Sequence, residues 1–179
     1  MTEEISTPID GLKIKLQKAV WDERGVLCEL TPEGMEDSFL KAGLRNIHTA
    51  TTFKKHVMRI GHYHRKNSKV VYTLNGTALW IFSDFRKDSK TFGNTFEMVA
   101  SLENVDLKTD APTYVTKSGK IAQMLVPPGV FHAFWSLTDS PVTILVLASE
   151  PYKKEDNIYP TLTNVPKIKS IVSKYGLTV

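Results

Sequence analysis

Three histidines and a lysine are spaced so that one pocket could hold them all. His62 and His64 alternate at period two in Arg59-Ile60-Gly61-His62-Tyr63-His64, so on a β-strand both imidazoles project from one face. Lys69 opens the next apolar run, and Asn75-Gly76 is a hairpin signal that returns the chain beside that face. Some fifty residues later Pro127-Pro128-Gly129 predicts a turn that delivers His132 near a strand start. An imidazole can take a proton from carbon near neutral pH, and an ammonium can steady the anion left behind. Three histidines could instead hold a divalent transition metal. Lys69 opposes that second reading, because an ammonium repels a cation at short range. The residues are therefore read as acid–base groups, with no metal and no cofactor.

The elements that must position them are mostly strands. Lys69 to Leu74 and Thr77 to Phe82 predict a hairpin, and strands are expected at Phe96 to Leu102, Thr113 to Val115, Ile121 to Val126, Phe131 to Leu137 and Val142 to Leu147. Turn residues such as Lys117-Ser118-Gly119 and Thr138-Asp139-Ser140-Pro141 separate them. Many short strands at such spacing imply an all-β barrel or sandwich. Two short peripheral helices are expected, one within Glu33 to Ala42 and one from Val165 to Lys174, with Pro166 in its first turn and Gly176 beyond. In the first twenty residues Leu12, Ile14 and Leu16 alternate with Lys13 and Lys15, a half-buried strand that could be exchanged between protomers.

With 179 residues, the chain suits one domain, 1–179, with a helical tail over 160–179. The net charge of +4 comes from 23 Lys and Arg against 19 acids without a polybasic run, which favours a small anionic ligand over nucleic acid. Cys28 is the single cysteine, so there is no internal disulfide and a reducing compartment is expected; it reads as a small buried hydrophobe. No apolar run approaches the roughly 20 residues of a spanning helix. Together with a start that lacks signal-peptide features, this gives the expectation of a cytoplasmic protein without a membrane partner. Trp80 and Trp135 read as core aromatics, and Asp84 with Arg86 as a structural pair at a strand end.

Five segments together resemble the dTDP-4-dehydrorhamnose 3,5-epimerases: Asp22-Glu23-Arg24-Gly25 with Glu29, Arg59 through Tyr63, Lys69, Asp84 through Gly93, and Pro127 to Phe134. The resemblance spans residues 20–137. It implies a cupin jelly-roll barrel, a homodimer, and a dTDP-linked or related 4-keto-6-deoxyhexose as substrate in deoxysugar and surface polysaccharide synthesis. It places His62 on the family's base, Lys69 near the developing oxyanion and His132 on the pocket wall, with His64 assisting. Arg24 and Arg59 fall on diphosphate-binding positions, Glu29 on a nucleobase contact, and Tyr63 joins the substrate-binding set. The arginines read from sequence alone would be surface ion-pair partners.

The sequence also departs from that pattern. Where the epimerases carry an aspartate eleven residues after the lysine, this chain has Trp80, and the family's proton-carrying tyrosine falls on Leu145. No acid in 160–179 matches the aspartate that orients the histidine; Asp156 is the nearest upstream. His62-Tyr63-His64 and the tail Val146 to Tyr152 are similar to sugar-nucleotide 3,4-ketoisomerases, whose tyrosine falls near His48 or Thr49. Keto migration is thus a second reading. A three-histidine metal cupin and a sugar-nucleotide-binding cupin without catalysis are the others.

Overall fold

The structure is a computed structural model that describes residues 3–30 and 43–178. Among the described residues, thirteen strands form two sheets. The first holds β1 (Glu3–Ile5), β2 (Lys13–Asp22), β10 (Lys120–Val126), β6 (Lys69–Asn75), β12 (Val142–Ala148) and β4 (Asn46–Thr52) in that order, with β3 (Gly25–Cys28) also on β2. The second runs β13 (Asn157–Ile158), β5 (Met58–His64), β11 (Val130–Ser136), β7 (Thr77–Asp84), β8 (Thr95–Ser101) and β9 (Thr113–Val115). This is the jelly roll expected for an all-β cupin.

Alternation along the strands builds the core. Ile14, Leu16, Val71, Met124, Ile144 and Val146 of one sheet meet Trp80, Phe82, Met98 and Phe134 of the other inside the barrel. Trp80 is fully buried and its Nε1 donates to Thr73 Oγ1 at 2.9 Å, so the indole at the family's aspartate position is a satisfied core residue. The opposite face of the second sheet is also covered, by Val165, Ile168, Ile171 and Val172 packing on Leu79, Ile81, Phe131 and Trp135. Both faces of β7 are therefore dry, and all eight of its residues are buried. Trp135 belongs to this outer layer.

Differences from the expected elements have local causes. The C-terminal helix α1 spans only Ile168–Lys174, because Lys167 adopts a left-handed φ of 59° after Pro166; a single 3-10 turn at Leu162–Asn164 precedes it. The helix expected within Glu33 to Ala42 lies outside the described residues. Within this single chain β2 lies between β1 and β10, with Ile14 opposite Met124, a register that seats Ile14 and Leu16 in the core. Lys15, expected to be solvated, is buried and sits 3.6 Å from Glu4 on β1. The β6–β7 turn needs its glycine: Gly76 has φ 73°, and a Cβ there would lie 2.5 Å from the Pro141 carbonyl oxygen.

Candidate active site

A bulge in β5 decides which way the histidines face. Met58 pairs with Trp135 and packs in the outer layer, so unbroken alternation would also turn His62 and His64 outward. The register slips by one residue between His132, opposite His62, and Ala133, opposite Ile60. Ile60 and Gly61 both take left-handed angles, φ 74° and 72°. The extra residue reverses the phase and swings both imidazoles inward, at the cost of holding a β-branched residue in a conformation it disfavours.

The imidazoles of His62, His64 and His132 then meet. Ring centroids lie 4.6 Å apart for His62–His64, 5.0 Å for His62–His132 and 5.6 Å for His64–His132. The Nε2 atoms of His62 and His64 are 3.0 Å apart, so one donates to the other. His64 Nδ1 faces Asp156 Oδ2 at 3.3 Å, a contact within ion-pair distance but outside hydrogen-bond geometry, and the carboxylate favours the His64 proton on Nδ1 with Nε2 as the acceptor. Asp156 is held in turn by the backbone N–H groups of Lys66 (2.9 Å) and Asn67 (3.2 Å). The acid that orients a histidine is thus Asp156, delivered by a 3-10 turn at Lys154–Asp156, and its partner is His64. Sequence spacing alone hid this pairing, because 92 positions separate the two residues; β13 pairing with the end of β5, Asn157 opposite His64, brings them together.

His132 Nδ1 donates to the Val130 carbonyl at 3.0 Å, so its proton points away and Nε2 presents a buried lone pair without a hydrogen-bond partner. Burial keeps the rings neutral. It lowers His62 to about 4 and holds His64 and His132 well below the ordinary histidine range, with Lys69 adding to the effect in each case. Lys69, at the start of β6, is itself lowered to about 8 by burial, against a smaller upward pull from Asp156.

A cavity of about 130 Å³ is walled by His48, His62, His64, Asn67, Lys69 and Asp156 and rimmed by Tyr152, Lys153 and Tyr159, with His132 buried behind His62 and His64. The Tyr159 ring meets His62 edge-on at 5.2 Å between centroids and is largely exposed. His48, inward on β4 opposite Val146, is lowered by burial and by Lys69. Leu145, in contrast, packs on the outer face with Val70 and Tyr72, and the core side of β12 carries Val142, Ile144 and Val146.

The other expected site residues lie elsewhere. Tyr63 points to the outer layer and stacks on Phe85 at 5.3 Å, because it alternates with two inward histidines. Arg59 is exposed and donates to the Thr51 carbonyl at 3.4 Å, linking the edges of the two sheets. Arg24 is exposed at the β2–β3 turn and paired with Asp22. Lys69 is level with Val126, and Leu125 with Lys13, so the tip of β2 lies nine residues of strand away, about 30 Å at roughly 3.3 Å per residue. Glu29 is exposed just beyond β3. A larger hollow of about 470 Å³ lies on that hairpin, lined by Val20, Asp22, Arg24, Gly25, Val26 and Leu27. Its lining holds no base or acid beyond the Asp22–Arg24 pair, whereas the histidines, Lys69 and Asp156 gather at the smaller cavity. Asp84, by contrast, is purely structural. Burial would raise its carboxyl, but Arg86, Ser89 and Thr91 donate to it and hold it well below the usual carboxylate range.

The class is a cupin: a jelly-roll barrel with three convergent histidines and a buried lysine that, among the described residues, forms no salt bridge. Comparison with known proteins narrows the class. The chain belongs to the dTDP-4-dehydrorhamnose 3,5-epimerase family, whose pattern matches residues 6–164. It is 27% identical over 149 residues to the spore coat polysaccharide biosynthesis protein SpsL of Bacillus subtilis, covering 82% of this chain and 84% of that one. Among solved structures it is similar to the epimerase of Bacillus anthracis with TDP and pyrophosphate bound (TM-score 0.71, 19% identity, 92% of this chain and 86% of that one). It is likewise similar to that of Legionella pneumophila in complex with dTDP-4-keto-L-rhamnose (TM-score 0.68, 22% identity, 99% and 82%).

Proposed function

We propose that the chain abstracts a proton beside the ketone of a dTDP-linked 4-keto-6-deoxyhexose, in the synthesis of a surface polysaccharide. The observation that carries this reading is the Asp156–His64–His62 chain beside Lys69. A ketone acidifies the protons on its neighbouring carbons, and His62, held neutral by burial, is free to take one. Charge then passes through the 3.0 Å contact to His64 and is balanced by Asp156. Lys69 supplies the cation for the enolate oxygen. His132, on the pocket wall, has no proton on its inward nitrogen to donate, so it accepts from a sugar hydroxyl. Return of the proton falls to Tyr159, the rim phenol packed against His62.

The nucleotide needs groups that the chain's own cavity lacks. Arg24 and Glu29 stand on a hairpin whose Val20 and Leu27 are exposed, so we infer a homodimer in which this arm reaches the pocket of a second copy. Proton NMR of dTDP-4-keto-6-deoxyglucose in deuterated water tests the reading. Deuterium entering C3 or C5 with inverted couplings is expected, and Tyr159→Phe should let deuterium in while slowing inversion. A ketone moving to C3 would instead make the His62–His64 pair the carrier of a keto migration.

A further inference from the structure

The pocket contains one feature that proton abstraction does not use: three ring nitrogens converge around a single proton, the one shared by His62 and His64, and the lone pair of His132 Nε2 is left without a donor. One ring nitrogen from each of His62, His64 and His132 lies within 4.8 Å of the other two. His132 is 1% exposed and its Nε2 has no hydrogen-bond partner. Its Nδ1 proton is held by the Val130 carbonyl, and Asp156 faces Nδ1 of His64, so both rings present Nε2 inward. A carboxylate or carbonyl behind each imidazole is the arrangement that fixes the tautomer of a metal-ligating histidine.

We propose that this trio is also a site for one divalent transition ion, which replaces the proton between His62 and His64. His62 moves its proton to Nδ1, its Nε2 turns into a ligand, and three neutral imidazoles close on the ion. At about 2.0–2.1 Å per bond, facial or tetrahedral nitrogens stand roughly 3.0–3.4 Å apart. The His62–His64 separation of 3.0 Å already meets this, and His132 must approach by no more than about 1.5 Å. Nitrogen-only ligands select zinc, cobalt or nickel over magnesium and calcium. Lys69 opposes the ion and sets its affinity below that of an undisturbed three-histidine site. Where the proposed reaction is correct, an occupied site has no base, and the ion is an inhibitor.

The test uses the metal alone. Chelator-stripped protein is titrated with cobalt(II), following the visible ligand-field absorption and the bound metal per chain. One ion per chain with an intense, low-symmetry spectrum that zinc displaces is expected. Lys69→Met should tighten binding by roughly tenfold or more, a gain that misfolding cannot mimic. His132→Gln should abolish the spectrum, and Asp156→Asn should weaken binding about 10- to 100-fold. A spectrum that stays that of the hydrated ion, survives His132→Gln or ignores Lys69→Met overturns the proposal. Inhibition of deuterium exchange by zinc is read separately. A metal-free enzyme that shows no exchange refutes the proposed reaction and leaves the metal site to be judged on its spectrum.

Discussion

His62 and Lys69 do opposite jobs, and substitutions separate them. His62→Asn keeps the ring's size and a hydrogen-bonding head but removes the base, so turnover should fall by at least 10³-fold, on the order of the contribution of a general base, with nucleotide affinity nearly unchanged by calorimetry. Retained turnover would remove His62 from the mechanism. For Lys69 the sign follows from its pKa of about 8 in the fold against an ordinary value near 10.5. Its charge is present below about pH 8, so kcat/KM should fall as pH rises through that value; a rate flat to pH 10 would show that the ammonium is not needed. Between 8 and 10.5 the unfolded chain binds the extra proton, so the cost of burying Lys69 shrinks as pH rises. Lys69→Met should therefore melt at a higher temperature than the parent at pH 7, by less at pH 10, while being inactive. A merely structural lysine would not give both results.

At the level of elements, the bulge is where strand pattern and function diverge. Gly61 has φ 72°, and a Cβ there would lie 3.1 Å from the flexible end of Met58. Gly61→Ala should cost about 1–2 kcal/mol from the left-handed backbone alone, measured by urea unfolding, and should lower kcat by turning the imidazoles. Gly76→Ala meets the immovable Pro141 carbonyl and should cost more, with kcat spared in the fraction that folds. Equal losses in the two variants would contradict the view that Gly61 positions the site. Most strands were legible because their apolar residues alternate or run between turn residues: the β6–β7 hairpin and β9 to β12 lie within a residue or two of the reading. Period two alone also brought His62 and His64 to one face, but not to the face that matters. Without the bulge they would be outside, and no residue type announces a left-handed Ile60. β4 was missed because Asn46–Thr52 is polar and half exposed at a sheet edge, and Asp156 because its role exists only when β13 docks on β5.

For the whole molecule, the question is whether one chain makes one site. The register holds Arg24 about 30 Å of strand from Lys69, on an arm with exposed apolar side chains, while the cavity within a chain offers Lys69 and Lys153 as its cations. If the arm serves its own chain, Arg24→Ala and His62→Asn each disable a pocket, and a heterodimer of the two variants has no intact site. If it serves the partner, the subunit carrying Arg24→Ala keeps His62 and receives Arg24 from its neighbour, so one pocket of two is complete. Each variant alone should be nearly inactive. Co-expression with two affinity tags isolates the mixed dimer, and its turnover should return to about half that of the parent, one intact site in two. A stable mixed dimer without recovered turnover would place Arg24 outside the partner's pocket, and a monomer by light scattering would leave the hairpin's Val20 and Leu27 without the cover that the proposed homodimer gives them.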